Sequence, residues 1–153
     1  MGPDAASTLH LVLEERGATL GCAESLTGGE LAAALSSPPG ASATFVGGVV
    51  SYATELKRRL LGVTADRVVS ADCAEQMAAG ARNLLGVDWA LSTTGVAGPD
   101  LQEGEAVGTV YVGIAGPHAS WARRLDLEGD RSSIRSATCA AAIDLLLVEV
   151  SRG

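Results

Sequence analysis

The side chains that could do chemistry gather around two loops rich in glycine, serine and threonine. One is Ala23-Glu24-Ser25-Leu26-Thr27-Gly28-Gly29; the other spans 92–100 and contains Thr94-Gly95-Val96-Ala97-Gly98-Pro99-Asp100. Each follows an apolar run that reads as a strand. In open α/β sheets, ligands sit outside the carboxyl ends of strands. A helix that starts there also aims free N–H groups at a phosphate or carboxylate. The two loops are therefore expected to wall one pocket for a small polar ligand. Neither carries G-x-G-x-x-G or G-x-x-x-x-G-K-[ST], so neither is a nucleotide fingerprint. Thr27 and Glu30 have the spacing of a T-x-x-E capping box, which accounts for Thr27 without a ligand. Gly28 and Gly29 in a first helical turn cost stability, and close backbone approach to a ligand would justify them.

Ser25 is the candidate nucleophile, and its base must be found. His10 lies on the first helix and His118 follows Gly-Pro in a turn. Neither adjoins a glycine loop, so a Ser-His-Asp triad is not expected. Cys22, Cys73 and Cys139 are odd in number and widely spaced. That argues against a disulfide framework and against zinc, and for free buried thiols in a reducing cytoplasm. No His/Cys/Asp cluster has ligand spacing, so no metal is expected, and no cofactor is implied. Lys57 is the only lysine among eleven Lys and Arg residues. Arginine cannot give up its proton, whereas a desolvated lysine can. Taken alone, a chance surface lysine explains Lys57 equally well. With Ser25 as nucleophile, Lys57 is the best candidate base and Tyr52 a possible proton relay, since Ser–Lys pairs are an established variant.

The elements that must position these groups follow from periodicity and breakers. Helices are expected at 5–16, 28–36, 54–61, 71–85 and 130–150. Strands are expected at 18–22, 44–52, 88–93, 107–115 and 119–126, the last two forming a hairpin through Gly116-Pro117. Gly47-Gly48 would allow a bend or a close backbone approach within its strand. Helix and strand alternate before an antiparallel end. The expected fold is therefore a three-layer α/β/α sandwich around a mixed, mostly parallel sheet with an antiparallel hairpin. Residues 1–153 read as one domain, with no internal repeat, linker or low-complexity segment.

Composition narrows the function classes. The chain of 153 residues is 47% hydrophobic but only 3% aromatic, so Ala, Val and Leu must build its core. A formal net charge of −7 argues against nucleic acid as a partner. The basic clusters Lys57-Arg58-Arg59 and Arg123-Arg124 read mainly as solvated surface. There is no signal-peptide pattern, and no run approaches the roughly 20 apolar residues of a membrane span. A cytoplasmic chain with no membrane contact is expected.

Several of these segments resemble the CinA C-terminal domain family, which includes nicotinamide-mononucleotide deamidase. The 23–29 loop resembles its A-E-S-C-T-G-G motif. Gly47-Gly48-Val49-Val50-Ser51-Tyr52-Ala53-Thr54-Glu55-Leu56-Lys57 is similar to its G-G-x-x-x-Y-S-N-E-x-K segment, and 94–100 to its T-G-I-A-G-P-D loop. Val107-Gly108-Thr109-Val110 and Gly129-Asp130-Arg131 match the following strand and the start of the last helix. The likeness covers nearly the whole chain. It implies hydrolysis of the carboxamide of nicotinamide mononucleotide to nicotinate mononucleotide and ammonia, without a metal. Ser25 would attack the amide carbon, and Lys57 with Tyr52 would handle the proton. Backbone N–H groups near Thr27-Gly28 or in the 94–98 loop would hold the oxyanion. Glu24, Thr27, Gly28, Gly29, Gly48, Thr94, Gly95, Gly98 and Arg131 would shape the substrate site, with Arg131 a candidate phosphate partner. A homo-oligomer, at its simplest a dimer, is also expected.

Three segments depart from the family pattern. Leu26 stands where the family has Cys, and Ala53-Thr54 where it has Ser-Asn. Leu101-Gln102-Glu103-Gly104-Glu105-Ala106 replaces a glycine-rich stretch ending Lys-Pro and is about one residue shorter. The last change puts negative charge where positive charge is expected near the ligand. Intact Ser25, Tyr52 and Lys57 favour an amidohydrolase; the altered 101–106 loop favours a catalytically weak or inactive nucleotide-binding domain. A purely structural protein leaves the paired glycines and the single lysine unexplained.

Overall fold

The computed structural model describes residues 4–152. In chain order the elements are α1 (Ala5–Glu15), β1 (Leu20–Glu24), α2 (Glu30–Ser36), a 3-10 turn (Ala41–Ala43), β2 (Phe45–Val50), α3 (Thr54–Leu61), α4 (Ala71–Leu85), β3 (Trp89–Gly95), β4 (Thr109–Ala115), β5 (Ser120–Asp126) and α5 (Arg131–Arg152). Each helix and strand expected from the sequence is present. The main shift is at α2, which starts at Glu30 and not at 28. Gly28 and Gly29 have φ of 56° and 111°, outside the helical region, so the chain turns through them before the helix begins. None of the described helices is long and apolar enough to cross a membrane.

The sheet order is β2-β1-β3-β4-β5. β1 pairs in parallel with both β2 and β3, while β3–β4 and β4–β5 are antiparallel. Four of the five strands therefore run the same way, and the carboxyl ends of β1, β2 and β3 lie side by side.

Strand alternation splits the core into two layers. Leu20, Cys22, Leu91, Val112 and Ile114 face α1, α2 and α5, meeting Leu9, Leu13, Leu31, Leu35, Ile143 and Leu146. On the opposite face Ala23 and Ala90 meet Cys73, Met77 and Ala81 of α4 and Leu61 of α3. The α4 layer lies very close to the strands. Ser92 on β3 donates to the Ala74 carbonyl of α4. Its register partner Gly113 on β4 has no side chain to push that carbonyl away. His10 has a core role: its ring nitrogens meet Thr44 Oγ1 and the Leu35 carbonyl, tying α1 to the end of α2. The three cysteines are free and buried.

Gly113 is the position where this packing is least forgiving. A Cβ there would lie 2.2 Å from the Ala74 carbonyl oxygen and 2.4 Å from Ser92 Oγ. Gly113→Ala is expected to cost about 1–3 kcal/mol, the range for overpacking a filled core. Urea unfolding checks this, and a loss below about 0.5 kcal/mol, typical of surface sites, would show that α4 can move away freely.

Candidate functional site

A pocket of about 350 Å³ opens where the parallel strands end. Ser25 and Leu26 come from the loop after β1, and Tyr52 from the segment after β2. The Gly95-Val96-Ala97-Gly98-Pro99-Asp100-Leu101-Gln102 run follows β3, and Arg131 comes from the first turn of α5. Five of the residues singled out in the sequence thus meet at one pocket: Ser25, Tyr52, Gly95, Gly98 and Arg131. The other seven lie outside its lining.

Ser25 is held from two sides. Its backbone N–H donates to the Thr93 carbonyl at 3.0 Å, and the hydroxyls of Thr27 and Thr93 bond at 2.8 Å. From α5, Arg135 donates to the Leu26 carbonyl at 3.0 Å and to the Thr27 carbonyl at 3.1 Å. The same guanidinium pairs with Glu30 at 3.5 Å. The expected Thr27–Glu30 capping box is therefore absent, because both side chains are engaged elsewhere. Glu24 does the capping instead. It is fully buried, and its carboxylate accepts from Leu31 N–H at 2.7 Å and Ala32 N–H at 3.1 Å. Glu24 and Thr27 brace the loop and do not line the pocket.

Gly28 and Gly29 also act in the turn. The Gly28 N–H closes onto the Ser25 carbonyl at 3.0 Å. Gly48 lies within β2, where a Cβ would meet Cys22 Sγ at 2.8 Å, so its need for glycine is a packing need. Thr94 is buried and donates to the Val68 carbonyl at 2.6 Å. Two backbone N–H groups stand out beside Ser25. Those of Leu26 and Thr27 find no acceptor among the described residues, although both residues are buried. Buried N–H groups without acceptors are rare, and such donors suit a developing oxyanion.

Arg131 donates to the Gly98 carbonyl at 2.7 Å and to the Tyr52 phenol oxygen at 2.8 Å. It makes no ion pair among the described residues, and it is the cation of the pocket lining. Asp130 fixes the turn that presents it, accepting from Ser133 N–H at 2.8 Å. Lys57 sits differently from the sequence expectation of a group at the pocket. It is 1% exposed, lies behind the lining, and donates to the carbonyls of Ser51 at 2.8 Å and Tyr52 at 3.0 Å. Burial pushes its pKa below the ordinary lysine value; Cys73 and Glu103 push it part of the way back.

The acidic 101–106 loop does not aim its added charge at the pocket. Glu103 accepts from Val68 N–H at 3.0 Å and Val69 N–H at 2.7 Å. Glu105 pairs with Arg67 at 3.4 Å. The lining from this segment is Asp100, Leu101 and Gln102. Sequence reasoning missed Glu103 and Arg135 as organisers of the site. Only the i, i+4 spacing from Arg131 could have flagged Arg135; no local pattern flags Glu103.

A family model described as CinA C-terminal domain matches residues 3–150. A CinA-like protein of Frankia casuarinae is 50% identical over 140 residues, covering 88% of this chain and 32% of that protein. A putative competence-damage inducible protein of Desulforamulus reducens is 44% identical over 139 residues, covering 88% of this chain and 34% of that one. The chain thus spans about a third of the length of these relatives. Among solved structures, a competence-damaged protein (CinA) superfamily protein from Klebsiella pneumoniae superposes with a TM-score of 0.93 at 31% identity, covering 97% of both chains. CihA from Agrobacterium tumefaciens superposes at 0.85 with 29% identity, covering 99% of this chain and 98% of that one.

Glu24 is the brace on which the Ser25 loop stands, and its removal leaves two helix N–H groups without acceptors. Glu24→Ala is expected to cost about 1–3 kcal/mol of stability. Chemical denaturation measures it; an unchanged midpoint would mean that water takes over both bonds.

Proposed function

The chain belongs to the CinA C-terminal domain family, and on that premise we propose that its pocket hydrolyses the carboxamide of nicotinamide mononucleotide. The observation that carries this reading is Ser25 on the pocket wall, followed by two buried residues, Leu26 and Thr27, whose backbone N–H groups have no acceptor among the described residues. A nucleophile beside unspent donors is the arrangement acyl transfer needs.

In this reading Ser25 Oγ attacks the amide carbon as Lys57 takes the hydroxyl proton. The carbonyl oxygen becomes an oxyanion beside the N–H groups of Leu26 and Thr27. Collapse expels ammonia, which leaves with the proton returned by the base. Water then adds to the acyl-serine as the base takes one of its protons, the C–O bond to Ser25 breaks as that proton returns to Ser25 Oγ, and nicotinate mononucleotide departs. The relay between the pocket and the amine behind it is assigned to the Tyr52 phenol, which lies on the same wall as Ser25; the amine itself is anchored on the backbone carbonyls of Ser51 and Tyr52. Arg131 retains N–H groups beyond the two it has used and makes no ion pair among the described residues, which suits a phosphate dianion. The reading of an inactive binding domain rested on the reversed charge at 101–106. Glu103 and Glu105 are attached to the 67–69 segment and do not line the pocket, which weighs against that reading.

Ammonia release from nicotinamide mononucleotide by the purified chain tests the proposal. Ser25→Ala is expected to lower kcat by about three orders of magnitude or more, and Lys57→Arg by roughly 10²–10⁴-fold. A base must be neutral, and burial favours the neutral lysine. Activity should therefore rise with pH through a midpoint below the ordinary lysine value of 10.5. A folded wild-type chain that releases no ammonia would sink the reading, and full activity in Lys57→Arg would remove Lys57 as the base.

A further inference from the structure

The connection between β3 and β4, residues 96–108, supplies much of the pocket wall. Within it Gln102 and Glu105 form an isolated bridge around Glu103 and Gly104, closed by Glu105 N–H on the Gln102 carbonyl at 2.9 Å. Glu103 has φ of 53° and Gly104 of 76°. Two successive residues with positive φ make a tight hairpin turn, for which Asn or Gly is the ordinary first choice. A glutamate there is strained, and such strain persists only where the surroundings hold it.

The Glu103 side chain does the holding. Its two carboxylate oxygens accept from Val68 N–H and Val69 N–H, and Arg67 donates to its backbone carbonyl. On the other side of the same peptide, Thr94 at the end of β3 donates to the Val68 carbonyl. The 67–69 segment is thus gripped from both the strand and the loop. The two residues before the turn, Leu101 and Gln102, face the pocket.

A second observation ties Glu103 to the buried amine. The titratable groups acting on Lys57 are Cys73 from α4 and Glu103 from the loop, and Arg58 on Lys57's own helix acts on Cys73. Glu24 at the end of β1 is bound to α2. Burial pushes the Cys73 thiol up to about 11, so it is uncharged at neutral pH. Glu103 acts on Lys57 in the same upward direction.

The geometry points to Glu103 as a positioning residue of this pocket: it locks the Leu101–Gln102 wall onto the 67–69 segment. The carboxylate held there also raises the Lys57 pKa; its consequence for turnover rests on the proposed role of Lys57 as base, and the lock does not.

Because Lys57 is the only lysine, labelling lysine with ¹³C at Cε gives a single resonance whose pH titration reads this one amine. Wild type, Glu103→Gln and Glu103→Asp would be compared by that titration, by amide hydrogen exchange and by ammonia release. Glutamine removes the charge, so the Lys57 midpoint is expected to fall, with the rising limb of activity moving the same way. Aspartate keeps the charge but withdraws it by one methylene. It should leave the midpoint near wild type while Val68, Val69 and residues 101–105 exchange faster. Wild-type exchange at Val68 and Val69 in both variants would overturn the lock, and an unmoved Lys57 midpoint in Glu103→Gln would overturn the effect on the amine. Absence of ammonia release from wild type would sink the amidase reading alone, and the titration and exchange rates would still decide on Glu103.

Discussion

A fully buried carboxylate at the end of β1 is the constraint around which the site is organised. Glu24 leaves the sheet with nothing to pair it and meets the N-terminus of α2, where backbone N–H groups lack partners by construction. The two needs cancel: the helix satisfies the carboxylate, and the carboxylate fixes the start of the helix. The loop between them, carrying Ser25, must then close within a few residues. That is why two glycines with positive φ stand there.

The same device recurs around the pocket. Lys57 holds the carbonyls of Ser51 and Tyr52, and Arg135 those of Leu26 and Thr27. Arg131 holds that of Gly98, and Thr94 that of Val68. Sheet hydrogen bonding stops where strands end, and side chains take over the main-chain groups left behind. Long charged side chains reach across the gaps between elements, so each loop is tied to a neighbouring element. Against that background the N–H groups of Leu26 and Thr27, beside Ser25, are left without an acceptor among the described residues.

Much of this was legible beforehand. Alternating apolar runs and glycine breakers located the helices and strands, because burial imposes those periods on any chain with one face in the core. The strand-to-loop junctions identified the pocket, since parallel strands present their carboxyl ends together. Local patterns misled where a distant partner won. The T-x-x-E spacing at Thr27 suggested a cap, but Thr93 and Arg135 claimed both side chains and Glu24 did the capping. The acidic 101–106 loop put negative charge where the family pattern has positive, and distant partners decided where it points: Glu103 onto Val68 and Val69, Glu105 onto Arg67.

The sequence by itself determined the order of elements, the two loops that meet, and the rarity of Lys57 among arginines. These are properties of local spacing and residue chemistry, which a chain carries whether or not it is folded. Only the tertiary structure decided which way each charged group points. Lys57 turned behind the pocket, Glu24 beneath α2, and Glu103 onto the 67–69 segment. Those choices depend on which unsatisfied backbone group lies within a few ångströms of each charge once the layers pack, and no linear spacing encodes that distance.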